Sequence, residues 1–458
     1  MADAQMARSG TLLTWDYPNG LFAESVLKVY NKYGGSPYYN YALNHAKAVV
    51  NSTTGKISGY SFTAYTLDNI NPGQFLMQIY DTEKSSQYKI ALDTLRKQLS
   101  KHPRTNNSAT GGFWHKGSYP NQMWLDGLYM GTRFYANYEK TYNNGAAYDD
   151  IVNQFVLIHS KTYDPTYQLN YHAWSATPTD ANSFWANQST PFLGCSKEFW
   201  GRGVGWYFAS LVDVLEVLPA NYARRQELVD ILNQVAAGIK RWQDPTSGCW
   251  YQLLRYDGTL TSNGTANYLE ASASCMFTYA MLKAVRLGLI SKTDYLPTAT
   301  KAYQGLITNF VTADANGVLS LNLICKSAGL GPTSSPTRDG SINYYLNGSD
   351  AGVKVSNDLK GVGPFILASV EYEMATATAN LEIKTNVEKY DVRNYKNSIT
   401  VYSSENKLTD VVLYNSEGEE ISQMKGYDLA EITLPVSNYK SGVYLLLING
   451  NTIRKILI

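Results

Sequence analysis

The stretch Gly203-Val-Gly-Trp-Tyr-Phe-Ala-Ser-Leu-Val-Asp-Val-Leu-Glu-Val-Leu218 carries apolar side chains on nearly every helical face. A helix of that kind has no side to turn to water and must be buried all round. Residues 86–101, by contrast, confine their apolar side chains to one stripe and belong on the outside. Periodic apolar stretches recur near 21–33, 38–51, 73–82, 86–101, 122–142, 147–162, 203–218, 223–243, 268–288, 294–313 and 357–376. Buried and amphipathic helices in alternation predict helical hairpins in two concentric layers, and six such hairpins close into a toroid. The helical domain is predicted over 12–375, behind a disordered leader at 1–11. Long aromatic connections at 103–121, 163–201, 244–267 and 314–356 are candidates for function, because long loops in a compact domain are usually kept for it. Within them Trp250–Tyr256 followed by Asp257-Gly258 reads as a strand and a turn.

The pattern changes after Ala379. Ser398-Ile-Thr-Val-Tyr402, Val411-Val-Leu-Tyr414, Ile432-Thr-Leu434 and Gly442-Val-Tyr-Leu-Leu-Leu-Ile448 are separated by turn sequences such as Ser416-Glu-Gly-Glu419 and Asn449-Gly450. This predicts a small antiparallel β-sandwich at 382–458, joined by a linker at 376–381.

Bulk properties exclude several classes. The net charge is +1 with both signs interspersed, so no basic footprint for nucleic acid exists. No run of 18 apolar residues is present, so no membrane span is predicted. The N-terminus lacks an apolar h-region, so a signal peptide is absent or already removed. The four cysteines are far apart without CxxC spacing and read as buried thiols, with disulfides as the alternative. With 5 His and no visible ligand cluster, neither a metal nor an organic cofactor is implied. The 37 Tyr and 9 Trp against 13 Phe suit a wet, sugar-lined cleft, because these rings pair an apolar face with a polar tip; a Tyr-rich surface is the alternative.

Chemistry concentrates in Gly112-Phe-Trp-His-Lys-Gly-Ser-Tyr-Pro-Asn-Gln-Met-Trp-Leu-Asp-Gly-Leu-Tyr-Met130. Asp126 lies between Trp124, Leu125, Leu128 and Met130, where desolvation raises a carboxyl pKa and keeps an acid able to donate a proton. Its position near a helix start opposes this, because the dipole favours the anion. The bland alternative is a capping Asp.

His115-Lys116, Tyr119-Pro120 and Gln122-Met-Trp-Leu-Asp-Gly127, then Phe199-Trp-Gly-Arg-Gly-Val-Gly-Trp-Tyr207, Tyr268-Leu-Glu-Ala-Ser-Ala-Ser-Cys-Met276 and Gly361-Val-Gly-Pro-Phe-Ile-Leu-Ala368 occur in this order. Together they resemble the unsaturated rhamnogalacturonyl hydrolases, glycoside hydrolase family 105. The resemblance implies an (α/α)6 barrel and an oligosaccharide substrate ending in a 4,5-unsaturated galacturonate. It implies protonation of the vinyl ether at C4, addition of water at C5, and collapse of the resulting hemiketal with release of the next sugar. Asp126 matches the catalytic acid, and Asp68 looks like the second acid, although Asn71 competes for that position and an Asx-turn is its alternative role. Arg202, between Trp200 and Trp206, suits the uronate carboxylate as a bidentate fork, or else stacks structurally on the two rings. His115 and His172 match pocket positions for the carboxylate or hydroxyls. Tyr17 and Trp124 are candidates for stacking on the sugar, and Trp200 and Trp206 for lining it. Lys116 and Tyr119 are weaker candidates for polar contacts. The family spacing breaks between His172 and Trp200, where extra sequence includes Trp185, and Ser175 stands where an acidic residue is common.

Three rivals remain open at this level: an unsaturated glucuronyl hydrolase, an ordinary inverting hydrolase using Asp68 and Asp126, and a non-catalytic sugar-binding protein. The C-terminal alternation resembles the β domains of secreted Bacteroidetes proteins. That likeness, or an accessory sandwich packed on the barrel, predicts a periplasmic or extracellular location.

Overall fold

The computed structural model describes residues 1–331, 337–376, 390–395, 397–403, 407–415, 419–439, 442–450 and 452–457. The chain divides into two compact units, Met1–Thr376 and Ala377–Ile458.

In the first unit, among the described residues, six helices close a ring. They are Tyr17–Tyr33, Gly73–Glu83, the stretch 125–142, Gly201–Val217, Ala271–Arg286 and Leu359–Thr376; each packs on the next, and the last returns to the first. The helices Ser36–Val49, Ser86–Lys101, Tyr148–Thr162, Arg225–Arg241 and Lys292–Phe310 lie outside, each leading into the inner helix that follows. This is the (α/α)6 barrel. Burial follows the pattern of the sequence. Every residue of Gly201–Val217 except Glu216 is buried, whereas Ser86–Lys101 buries only the stripe Tyr88, Ala91, Leu92, Leu95, Gln98 and Leu99. Asp16 accepts from Asn19 N, Glu270 from Ser272 N and Ala273 N, and Ser291 from Asp294 N, which supplies partners for otherwise orphaned first-turn donors.

Since outer and inner helices alternate in direction, the six inner helices run parallel. Their N-termini gather at one mouth. Their middle and C-terminal halves meet around a buried ionic cluster of Glu24, Arg133, Asp213 and Lys283. No helix among the described residues is long and apolar enough to cross a membrane.

Two expectations are corrected, and a third falls outside the described residues. Residues 1–11 are not a disordered leader: Ala2–Ser9 is helical, Met1, Ala2 and Met6 pack on the core, and Arg8 donates to the Leu319 carbonyl at 3.0 Å. This short helix precedes the first inner helix as the other outer helices precede theirs. Trp250–Tyr256 is not a regular strand. Its backbone divides its hydrogen bonds between two neighbours, with Leu254 N donating to Phe199 O and Gln252 N to Tyr268 O; the hairpin forms downstream, Thr261–Ser262 against Thr265–Ala266. The linker expected at 376–381 lies outside the described residues apart from Thr376, which still belongs to the last inner helix.

The second unit contains two antiparallel sheets. One joins Tyr390–Tyr395, Ser398–Ser403 and Glu431–Pro435; the other orders Glu420–Leu429, Leu408–Tyr414, Val443–Ile448 and Thr452–Leu457. Ile399, Val401, Leu408, Val411, Leu413, Ile432, Leu434, Leu446 and Ile448 fill the space between them. The alternation at Ile399 and Val401 against Thr400 and Tyr402 is the period of 2 that a half-buried strand requires.

Candidate active site

Two segments build the acid. Gln122–Trp124 pairs antiparallel with Ala173–Ser175, so that Trp124 lies opposite Ala173 and the next residues, Leu125 and His172, are joined by Leu125 N to His172 O at 3.0 Å. The chain then turns into the helix at Leu125–Gly127, which passes through a π-helical turn, Leu128–Thr132. Such turns re-aim side chains at functional positions. The result places the Asp126 carboxylate against His172, with His172 Nε2 3.1 Å from Asp126 Oδ2. On the other side of the imidazole, Nδ1 is 2.8 Å from the Tyr345 hydroxyl. Burial pushes the Tyr345 pKa well up, so this hydroxyl stays a donor; Nδ1 then accepts, and Nε2–H is left to face the carboxylate. A Cβ at Gly203 would fall 3.2 Å from His172 Cδ2 and 3.6 Å from Asp126 Oδ2, so the glycine after Arg202 clears the space beside the acid.

The electrostatics differ from the expectation for Asp126. Burial is the largest influence and pushes its pKa up, but the hydrogen bond from His172 and the nearby imidazoles outweigh it, and the carboxyl is held below its ordinary value. The like-charge push expected from Asp68 is quenched, because Lys116 Nζ lies 2.8 Å from Asp68 Oδ2. The same contact holds the Lys116 ammonium above its usual pKa. His115 Nε2 is 3.6 Å from Asp68 Oδ1, and burial pushes the His115 pKa down to about 4. Asn71, the competing second-acid position, is 1% exposed and its amide atoms have no protein partner among the described residues.

The aromatic residues are arranged otherwise than the sequence suggested. His115 and Tyr119 both stack on Trp124, at centroid distances of 4.5 and 5.0 Å, and lie 6.4 Å from each other in nearly one plane. That separation is too short for opposite faces of the indole, so the two rings lie side by side on the same face. Trp124 is therefore a backing wall, 4% exposed, and Tyr119 is the ring of this group that remains half-buried. Trp200 and Trp206 are each 1% exposed, closed off by His172 and Tyr345 on one and by Tyr17 and Tyr129 on the other. They pack the site and present no open face to a sugar. Tyr17 stands edge-on to Trp206, 6.2 Å between ring centroids.

Arg202 is not a free fork. It is 2% exposed, its Nη1 donates to the Cys325 carbonyl and to Ser272 Oγ, and its Nε has no protein partner among the described residues. Its guanidinium lies over Trp200 at 4.9 Å, which combines the structural alternative with donors left unfilled by the described residues. Sequence reasoning missed Tyr345 and the pair Asp358–Lys360, whose Oδ2 and Nζ are 2.8 Å apart at the start of the last inner helix. Burial and then the neighbouring Arg202 charge lower the Lys360 pKa. Both lie next to stretches already marked: Tyr345 in the aromatic loop 314–356, and Lys360 directly before the Gly361-Val-Gly-Pro motif.

A toroid of six hairpins whose inner helix N-termini bring carboxylates, imidazoles and aromatic rings to one mouth is the architecture of the six-hairpin glycosidases. Glycosyl Hydrolase Family 88 matches residues 1–376. A solved family 105 glycoside hydrolase from C. acetobutylicum superposes with a TM-score of 0.74 at 40% identity, over 81% of this chain and 98% of that one. Protein Atu3128 of Agrobacterium fabrum is 35% identical over 245 residues, 53% of this chain and 97% of that protein. The unsaturated rhamnogalacturonyl hydrolase YesR of Bacillus subtilis is 22% identical over 276 residues, 60% of this chain and 72% of that protein. The chain belongs to glycosyl hydrolase family 88, in its family 105 branch, and is a glycosidase acting on carbohydrate.

Proposed function

We propose that this glycosidase removes a terminal 4,5-unsaturated galacturonyl residue from rhamnogalacturonan oligosaccharides of pectin, with Asp126 as acid and base. The observation that carries the reading is the buried Asp126–His172 pair beside the N-termini of the inner helices. These ends are partially positive and favour a bound uronate carboxylate, with Lys116, Lys360 and the unfilled Arg202 Nε as further donors. Asp68 orients water or substrate hydroxyls from its pair with Lys116.

In the empty pocket Asp126 is a carboxylate. A uronate that enters expels water and adds a like charge, and both raise the Asp126 pKa. Asp126 then gives its proton to C4 of the C4=C5–O5 vinyl ether, and the C5 cation is stabilised by O5. Water adds at C5 and returns its proton to Asp126. The C5 hemiketal opens to a ketone, and the hemiacetal left at C1 releases the next sugar with its hydroxyl. One water is consumed, and no nucleophile attacks the anomeric carbon. The substrate class and the C-terminal β unit favour a periplasmic or extracellular location.

The test follows the ultraviolet band of the conjugated enoate during incubation with lyase-digested rhamnogalacturonan. Loss of the band with release of a shortened oligosaccharide is expected. Turnover of unsaturated glucuronyl disaccharides alone would keep the chemistry and change the sugar, whereas turnover of saturated oligosaccharides would point to ordinary inversion by two carboxylates.

A second expectation concerns pH. Protonated Asp126 is the reactive form, so kcat/KM falls as pH rises above its pKa. His172→Phe keeps the ring packing but removes the largest of the influences that hold the carboxyl down, leaving only His115 and the backbone hydrogen bond of Asp126 itself against burial. The alkaline limb of the kcat/KM profile is expected to move to higher pH. A limb that stays in place would show that His172 does not set the acidity of Asp126.

A further inference from the structure

Arg338 lies in the long connection 314–356 that precedes the last inner helix, outside every motif discussed so far. Its guanidinium and the Cη2 edge of Trp124 border the same space beside Gly329: a Cβ there would fall 3.2 Å from Arg338 Nη1 and 3.4 Å from Trp124 Cη2. The same indole is stacked on by His115, the neighbour of Asp68. Arg338, His115 and the half-buried Tyr119 are thus all grouped around Trp124.

The arginine is held in place. Its Nε forms an ion pair with Asp350, 2.8 Å from Oδ2, without the alignment of a hydrogen bond; Oδ2 accepts from Tyr344 Oη at 3.4 Å, while Asp350 Oδ1 accepts from Ala351 N at 2.7 Å. Gly331 N donates to the Arg338 carbonyl at 2.9 Å. Asp350 is thus engaged from its own side as well, and no hydrogen bond from either Nη of Arg338 to another described residue is present. The side chain keeps 31% of its surface in solvent. A fixed guanidinium with its two outer nitrogens unspent has the geometry that matches a carboxylate bidentately. On the next residue, Asp339 Oδ2 lies 3.8 Å from Lys197 Nζ, whose side chain is 44% exposed.

We propose that Arg338 binds a second carboxylate of the oligosaccharide, on a sugar beyond the one released, and so makes the enzyme prefer chains in which uronates recur over a disaccharide. The inference rests on the function proposed above. With the terminal uronate at Asp126, the leaving sugar covers Tyr119. In a chain that alternates uronate with a neutral deoxysugar, the following ring brings its carboxylate to the rim where Arg338 waits.

The test compares kcat/KM on the unsaturated disaccharide with that on the unsaturated tetrasaccharide from the same lyase digest, for the wild type, Arg338→Gln and Arg338→Lys. The wild type is expected to favour the tetrasaccharide. Loss of one charge-assisted contact should lower the tetrasaccharide-to-disaccharide ratio by about tenfold in Arg338→Gln, with partial recovery in Arg338→Lys. A parallel fall on both substrates, with the ratio preserved, would reduce Arg338 to a structural pin on the loop and overturn the proposal. So would a wild type without preference. A wild type that turned over neither substrate would instead sink the proposed function itself, and this inference with it.

Discussion

Asp126→Asn lowers kcat by about 10³–10⁴-fold on unsaturated galacturonyl oligosaccharides while the protein stays folded and still binds them. The size follows from the two proton transfers assigned to this one carboxyl, each within the 10²–10⁴-fold range of positioned acid–base groups. The substitution nearly preserves volume, and the side chain is 12% exposed, so packing changes little. What changes is chemistry: an amide can neither release a proton to C4 nor take one from water. Its oxygen can still accept from His172 Nε2, which keeps the imidazole and the Tyr345 hydroxyl in register. Binding of the substrate, measured by calorimetry or by protection against thermal unfolding, should therefore persist. A kcat within tenfold of the wild type would remove Asp126 from the acid role and leave Asp68 to be tested in its place. Retained turnover without Asp126 would also revive ordinary inversion, in which the leaving oxygen is protonated instead of C4.

Much of this architecture could be read from side-chain periodicity, because in a two-layered toroid the inner helices have no water-facing side and the outer ones have exactly one stripe to hide. That constraint is local to each helix and survives in the sequence. Asp126 was legible for a similar reason: its partners Trp124, His115 and Tyr119 all fall within eleven residues of it. Tyr345 was not, since it reaches His172 from 173 residues away. The orientation of rings was hidden as well. Trp124, Trp200 and Trp206 have the composition of sugar platforms, but whether an indole face is open depends on which neighbour covers it, and that is a tertiary fact. Arg202 shows the same limit in another form, because the Cys325 carbonyl that takes its Nη1 comes from a short strand 123 residues downstream. The helix at Ala2–Ser9 was overlooked because eight residues are too few to display a periodic stripe.

Asp213→Asn is expected to destabilise the barrel by about 3–5 kcal/mol, a large share of the 5–15 kcal/mol by which domains are typically stable. Asp213 lies in the inner ring, away from the mouth, and its two oxygens receive three donors. Oδ1 accepts from Lys283 Nζ at 2.6 Å and Tyr279 Oη at 2.7 Å, and Oδ2 accepts from Arg133 Nε at 2.6 Å. All four side chains are buried. An amide in this position turns its NH2 group toward Arg133 or Lys283, donor against donor, and leaves two buried cations with one anion fewer. Glu24 still faces Arg133 but through Nη2, not the Nε that Asp213 holds, and Glu216 shares the Lys283 Nζ with Asp213 from a half-exposed position. The same cluster predicts a pH dependence. Burial raises the Asp213 pKa, but Lys283 and then Arg133 override it and hold the value near 2, below the ordinary 3.8. A depressed pKa means stability that is present above the unfolded value and lost as pH falls through the folded one. Wild-type stability should accordingly drop by about 2 kcal/mol between pH 4 and pH 2 on account of this group alone. Asp213→Asn should lose that component of the slope together with the stability. Urea denaturation of both proteins across this range measures the two effects at once. Equal midpoints at neutral pH would mean that water enters the cluster and screens it, and the inner ring would then owe its stability to apolar packing alone.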